Sequence, residues 1–228
     1  MIEHVYKRSL LASGTDDVVM AVCEDRVSGA CKAFGAKVVM TSNNHQTATD
    51  RVAEAASILG YTHADDIVIN VQGDEPAVPP PVVEETRAIL IKEKDIHCAN
   101  LVEAVTDMTD LSNHHRIKVI ISRHNRLIYL TRQAVPATVF DINKIAVFYR
   151  QTCVMGFRGD FLQSFTQLKR TPLELIEGID MLRLIENDIP IATAVTSYAT
   201  QPVDTPEDIP RVVGILKTDT WFKNGYKR

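Results

Sequence analysis

Two short acidic strings hold the residue types that could handle a phosphate-bearing substrate. The first is Asn70-Val71-Gln72-Gly73-Asp74-Glu75-Pro76. The apolar run Ile67–Val71 before it reads as a buried strand, which delivers Asp74 just past a carboxyl end, where open α/β sheets place ligands. Gly73 permits a tight turn or a close backbone approach. A carboxylate at that point can hold Mg²⁺, and the ion can bridge nucleotide phosphates. The same letters also read as an ordinary β-turn, since Gly, Asp and Pro all favour turns. The second string is Pro202-Val203-Asp204-Thr205-Pro206-Glu207-Asp208. Thr205 and Asp208 suit a helix cap. Thr205 can cap alone, which leaves Asp204 available to share a cation with Asp74. Spacing along the chain does not determine whether the two acids meet.

The elements that must position these residues alternate between helical and strand patterns. Ile2, Val5, Tyr6, Ser9 and Leu10 fall at helical spacing. Asp17–Val22, Lys37–Met40 and Ile67–Val71 read as short buried strands, separated by helices over Asp25–Phe34 (ended by Gly35) and from Thr47 or Thr49 to about Leu59 (ended by Gly60). A further helix is expected after Pro79-Pro80-Pro81. Continuous apolar strands between helices predict a mixed, mostly parallel central sheet covered by helices on both faces. Ile117–Ile121 and Leu127–Leu130 flank the turn-like Arg123–Arg126 and predict a hairpin, part of a smaller antiparallel sheet. Val135–Asn143 reads as a loop, and Ile145–Tyr149 and Cys153–Phe157 as strands. Phe161–Leu168 and Leu173–Asn187 read as helices, Ile189–Thr196 as a strand. A last helix is expected from Thr205, as its cap, and Pro206 in its first turn. Trp221, Phe222 and Tyr226 in the polar tail are candidates for docking on a partner. No repeat or linker divides the chain, so residues 1–228 are expected to form one α/β domain, with 117–157 as a subregion.

Composition narrows the classes. The chain has 228 residues, 45% hydrophobic and 24% charged, with a net charge of -4, enough for a filled core and a soluble surface. No basic run gives a footprint for nucleic acid, although a local pocket can still be positive and take a small anion. No apolar run is long enough for a membrane span, and the first residues lack the layout of a signal peptide. Cys23, Cys31, Cys98 and Cys153 form no C-x-x-C pair and no zinc spacing. They read as reduced thiols of a cytoplasmic protein. The histidines are scattered, and none pairs with a nucleophile.

Both acidic strings, in this order, resemble the two metal motifs of the 3-deoxy-manno-octulosonate cytidylyltransferase (CMP-KDO synthetase) family. Other segments share the likeness. Met1–Tyr6 resembles the helix after that family's nucleotide loop. Lys37–Thr41 with His45-Gln46 and Thr49-Asp50-Arg51 resembles "VMT…H-x-S-G-T-[DE]-R". Lys118-Val119, Tyr129 and Arg132–Pro136 resemble the "KVV…LYFSRxxIP" hairpin, and Pro172–Glu174, Glu177 and Leu182-Arg183 resemble "SPLExxExLEQLR". The likeness runs to about Gly214. It implies a nucleotide-diphospho-sugar-transferase-like fold and an Mg²⁺-dependent transfer of CMP from CTP to an acidic sugar such as KDO, with release of pyrophosphate, in lipopolysaccharide sugar activation. It further implies Asp74 and Asp204 as metal ligands and catalytic residues. Arg51, Gln72 and Gly73 would lie at the nucleotide, and Arg132, Gln151, Glu174 and Glu177 at the sugar. A homodimer paired through 117–157 is implied as well. For Arg51 the residue alone suggests a solvated helix charge, and for Glu174 and Glu177 an exposed i,i+3 pair.

Departures from the pattern bear on that expectation. The family opens with a strand and a loop "IPAR-x-x-S-x-R-LPGKPL" that embraces the triphosphate, and nothing before Met1 supplies it here, so the chain as written is expected to bind CTP very weakly. Thr47-Ala48-Thr49 stands for S-G-T. In the strand matching "H-x-G-I-Y-[GA]-Y", Gln151 replaces the histidine and Met155 a tyrosine. Gln151 can donate a hydrogen bond but cannot be charged. The alternatives to CMP–KDO synthesis are a nucleotidyltransferase for another sugar, or a non-catalytic binding homologue.

Overall fold

The computed structural model describes residues 1–105, 109–136 and 148–227. Helix α1 (Ile2–Leu11) leads to β1 (Met20–Val22), α2 (Asp25–Ala33), β2 (Val38–Met40), α3 (Ala48–Leu59) and β3 (Ile67–Val71). Then come α4 (Pro80–Lys92), β4 (Cys98–Ala104), α5 (Thr109–Ser112), the hairpin β5 (Lys118–Ile121) and β6 (Leu127–Thr131), and β7 (Tyr149–Arg158). The chain ends with α6 (Gly159–Gln167), α7 (Pro172–Glu177), α8 (Leu182–Ile185), β8 (Ile191–Ala192), β9 (Val195–Thr196), α9 (Asp208–Thr218) and α10 (Thr220–Lys223).

Local chemistry explains most boundaries. The Thr47 hydroxyl accepts from the Asp50 N–H to start α3, and Gly60 ends it at φ 82°. Pro80 occupies the first turn of α4, where a missing N–H costs nothing. Gly178 at φ 64° stops α7, so Leu173–Asn187 is two short helices rather than the one expected. The final helix starts at Asp208, not at Thr205: the Asp208 carboxylate itself accepts from the Thr205 N–H at 2.9 Å and the Asp204 N–H at 3.2 Å. Pro206 thus lies outside α9.

The α/β class with a mixed sheet is as expected, but its strands are distributed differently. β1 and β2 pair in parallel as a separate two-stranded sheet, while β3 joins a seven-stranded sheet through β7. The smaller sheet is therefore parallel, and the expected antiparallel one is continuous with the large sheet through the pairing of β5 with β7. Among the described residues most ladders of the large sheet are antiparallel, and only β8 and β9 run parallel to β4. The cause is the length of β7. Expected as two strands, it is one ten-residue strand, long enough for two partners in succession along one edge. The part of the expected strand at residues 145–147, and most of the Val135–Asn143 loop, lie outside the described residues.

Alternate residues of β7 serve the two faces. Met155 and Phe157 enter a core with Leu162, Phe165, Met181 and Leu182 under α3, α6 and α8. Val154 enters the opposite core with Val78, Val82 and Leu101 under α4. Gly156 lets α4 approach: a Cβ there would stand 3.0 Å from the side chains of Ile69, Thr86 and Leu90. The C-terminal tail packs on its own chain. Arg8 of α1 donates to Asp219 at 2.8 Å and lies over the Trp221 ring, and Phe222 and Tyr226 meet His4. All four cysteines are free; Cys31 and Cys98 are buried, Cys23 and Cys153 partly so. Among the described residues, no helix is long and apolar enough to cross a membrane.

Candidate active site

The site lies where one edge of β7 changes partner. Arg158 to Val154 pair with β3 (Ile67 to Val71), and Arg150 and Tyr149 pair with the start of β5. β3 and β5 thus run in the same direction along one edge, and the carboxyl end of β3 faces the amino end of β5. The gap between them falls at Gln151–Cys153, where the Gln72 N–H still donates to the Cys153 carbonyl at 3.3 Å and the Gln151 N–H to the Ile117 carbonyl at 2.9 Å. On the other edge, β4 has a register shift between Asn100 and Val102. The buried Asn100 carboxamide spans it, donating to the carbonyls of Thr152 (3.0 Å) and Val154 (2.8 Å) and accepting from the Gln151 carboxamide at 2.7 Å.

The first acidic string emerges at this gap. Its turn is closed by the Glu75 N–H donating to the Gln72 carbonyl at 3.3 Å, so the β-turn reading and the site reading describe one feature. Gly73 is exposed, its φ is not left-handed, and a Cβ there would meet only Ile2 at 3.8 Å. The turn does not require glycine, and the space beside it is open to a close backbone approach. The second string arrives alongside: the Val203 N–H donates to the Asp74 carbonyl at 2.8 Å. The two acidic segments therefore lie side by side. Burial, together with the Asp204 charge, raises the Asp74 pKa above the usual carboxylate range, although its own backbone N–H lowers it. One Asp74 carboxylate oxygen, Oδ1, is buried without a hydrogen-bond partner, whereas the Asp204 side chain is 25% exposed.

Three residues at the gap had no role assigned from the sequence, although Glu75 lies in the first acidic string and Lys118 in the hairpin likeness. Glu75 is 0% exposed, neither carboxylate oxygen has a hydrogen-bond partner within ordinary geometry, and burial pushes its pKa up to about 8, opposed by the Cys153 thiol and Arg116. Arg116, just before β5, reaches to 3.6 Å from Asp204 Oδ2 and 3.8 Å from Asp208 Oδ1. Lys118 is fully buried and donates to the carbonyls of Asn113, Arg116 and Arg132, which draws the entry of β5 and the exit of β6 together. Only Arg116 lies outside every quoted motif, and its one signal was a charge beside an apolar run.

The nucleotide-side and sugar-side candidates occupy several places. Gln72, Gly73, Asp74, Gln151 and Asp204 converge at the gap. Arg51 donates to the Thr41 hydroxyl (3.0 Å) and the Ser42 carbonyl (3.2 Å), bracing the β2–α3 loop. Its helix is tied to β3 by Asn70 and Thr49 at 3.5 Å. It is thus anchored rather than a free helix charge. Arg132 donates from Nε to the Glu177 carbonyl at 2.7 Å, and Glu177 accepts from the Thr131 hydroxyl (2.6 Å) and the Arg132 N–H (2.9 Å). Glu174 differs from both sequence expectations. It is 0% exposed, caps α7, and forms a bidentate pair with Arg183 at 2.9 and 2.7 Å. Its oxygens are turned inward, and Glu174 and Glu177 do not form an exposed pair.

Oxygen donors of this kind suit a hard divalent cation. Among the described residues no cluster of three or more metal-ligating side chains occurs. Mg²⁺ does not need one, since it is commonly held by one or two carboxylates, water and substrate phosphates. The unpartnered Asp74 oxygen beside Asp204 fits that arrangement.

Glu75 makes the ion-free protein pH-sensitive. A carboxyl raised from 4.5 to about 8 adds stability that is fully present below the unfolded value and lost as pH rises through the folded one. In EDTA, wild type is expected to lose about 1.4 kcal/mol per pH unit relative to Glu75→Gln across that window. Urea unfolding of both proteins at pH 5, 6.5 and 8 checks this. A constant difference between them would contradict it.

A helix-covered mixed sheet with paired acids beyond the end of a strand defines a nucleotidyltransferase-like α/β protein. The cytidylyltransferase family model matches residues 1–198, and the chain belongs to that family. Among its relatives, 3-deoxy-manno-octulosonate cytidylyltransferase of Geobacter metallireducens is 34% identical over 222 residues, covering 93% of this chain and 86% of that one. The protein of the same name from Desulfatibacillum aliphaticivorans is 36% identical over 217 residues, covering 95% and 88%. The solved CMP:2-keto-3-deoxy-manno-octonic acid synthetase complexed with CTP superposes with a TM-score of 0.85 at 31% identity, covering 95% of this chain and 87% of that one. A 4-diphosphocytidyl-2C-methyl-D-erythritol synthase from Anaerococcus prevotii, at 11% identity and a TM-score of 0.60, shares the fold alone.

Proposed function

We propose that this protein transfers CMP from CTP to an acidic 3-deoxy sugar of the KDO type and releases pyrophosphate, as a cytoplasmic step in lipopolysaccharide sugar activation. The observation that carries the reading is the joining of two acidic segments, distant in the chain, at the carboxyl end of β3. Relatives of the same family named 3-deoxy-manno-octulosonate cytidylyltransferase, and the solved synthetase complexed with CTP, support the choice of substrates.

Asp74 and Asp204 would hold Mg²⁺ in this reading. When bound, the ion supplies charge neutralisation for the leaving pyrophosphate. The rest falls to the chain. Gln72 and the open backbone at Gly73 receive the nucleotide, with Arg51 holding the β2–α3 loop against it. Gln151 and Arg132 orient the sugar so that its anomeric hydroxyl attacks the α-phosphorus in line, a reaction governed by positioning and electrostatics. Glu177 fixes Arg132 through the backbone of both residues. Pairing of two subunits through 117–157 belongs to the same reading, and β6, an edge strand with Ile128 50% exposed, supports it.

The test is pyrophosphate release by the full-length protein with CTP, Mg²⁺ and a panel of acidic sugars that includes KDO. Turnover with CTP and KDO is expected. Turnover with a different 2-keto acid only would favour the reading in which Gln151 and Met155 have changed the sugar. No turnover with any member of the panel would leave the non-catalytic alternative.

A further inference from the structure

Arg116 is a charged side chain with donors left over. It is 4% exposed, yet its Nε and Nη1 have no hydrogen-bond partner among the described residues. The carboxylates nearest to it, Asp204 and Asp208, stand at 3.6 and 3.8 Å, beyond hydrogen-bond reach. Asp208 Oδ2 is already engaged by the backbone of Asp204 and Thr205 and by the Thr205 hydroxyl, so that carboxylate is not free to close on the guanidinium. The position of Arg116 is imposed from below. Its N–H donates to the Asn113 carbonyl at 3.1 Å, its carbonyl accepts from buried Lys118 at 2.7 Å, and the next residue pairs with Gln151. The side chain is thus fixed at the gap between β3 and β5, beside both acidic segments.

A buried guanidinium with idle donors is costly unless something accepts from them. The planar fork of arginine suits two oxygens of one oxyanion. From this geometry we infer that Arg116 binds an oxyanion of the reactants through Nε–H and Nη1–H: a phosphate of the nucleotide or the carboxylate of the acidic sugar. Before substrates arrive, its charge balances Asp204 and Asp208. A cation held at Asp204 would leave the guanidinium free for the incoming anion. Arg116 would then grip a reactant while the cation would supply charge neutralisation for the leaving group. This inference rests on the nucleotidyl-transfer reading above.

Arg116→Gln and Arg116→Lys test it, with calorimetric titration of CTP alone and of the sugar acid alone in Mg²⁺, and with KM for each. Arg116→Gln is expected to weaken one of the two reactants by roughly ten- to a hundredfold, the effect of one or two charge-assisted hydrogen bonds. Loss confined to CTP identifies the phosphate, and loss confined to the sugar identifies its carboxylate. Arg116→Lys keeps the charge without the fork and should recover only part of the affinity. Thermal denaturation of each variant separates binding from folding. If Arg116→Gln fails to fold, Arg116→Lys decides, and wild-type affinity for both reactants in it overturns the inference. So does unaltered affinity in a folded Arg116→Gln. Absence of wild-type turnover would instead count against nucleotidyl transfer, and the titrations would still report on Arg116.

Discussion

Asp74→Asn is expected to cut pyrophosphate release by about a hundred- to a thousandfold while leaving the protein folded. The substitution preserves shape and removes one negative charge from the proposed two-carboxylate cation site. Lewis-acid stabilisation of a phosphoryl transition state amounts to several kcal/mol, and each ~1.36 kcal/mol is a factor of ten in rate. Stability should move the other way. Asp74 Oδ1 has no internal hydrogen bond to lose, and burial with the Asp204 charge already disfavours its ionised form. In EDTA the variant should therefore melt at or above the wild-type temperature. Added Mg²⁺ should raise the wild-type melting temperature and leave that of the variant unchanged. Near-normal turnover would remove Asp74 from the metal site.

Glu174→Gln should do the reverse, costing about 3–5 kcal/mol of stability and little in KM. Its carboxylate lies against Arg183, which is also almost fully buried and stacks on the Phe165 ring at 4.2 Å. Removing one partner of a buried pair strands the other charge away from water. Asp50, 3.6 Å from Arg183 Nη1, compensates in part. In a protein whose total stability is on the order of 5–15 kcal/mol, a loss of that size is visible as a large drop in the urea midpoint. A variant with an unchanged midpoint and a raised KM for the sugar would return Glu174 to the substrate side, where the family resemblance had placed it.

The long central strands show how far pattern reading reaches. β3 was legible to the residue because its apolar run is bounded by turn formers. β4, which pairs with β7, β8 and β9 at the middle of the large sheet, carries no such signal. Its sequence, Cys-Ala-Asn-Leu-Val-Glu-Ala, places Asn100 and Glu103 in the interior. They are tolerated because β7 carbonyls, Arg150 and Thr200 satisfy them. Such partners lie far away in the chain, and no local pattern announces them. β7 was divided in the reading because Arg150, Gln151 and Thr152 interrupt its hydrophobic run, and these residues are also where it changes partner.

By itself, the sequence determined the α/β class, the helix stop at Gly60, the place of Asp74 beyond β3, and two acidic motifs whose order resembles a cytidylyltransferase. Those features depend on neighbours a few residues apart, through backbone sterics, capping and periodicity. Only the tertiary structure decided that the segments of Asp74 and Asp204 lie side by side, that Glu174 is turned into an ion pair while Arg116 is left with idle donors, and that β1 and β2 stand apart from the main sheet. Each of these depends on which distant group occupies the same small volume, and on whether a buried charge finds a partner there. Long-range packing and desolvation set that outcome, and sequence spacing does not record it.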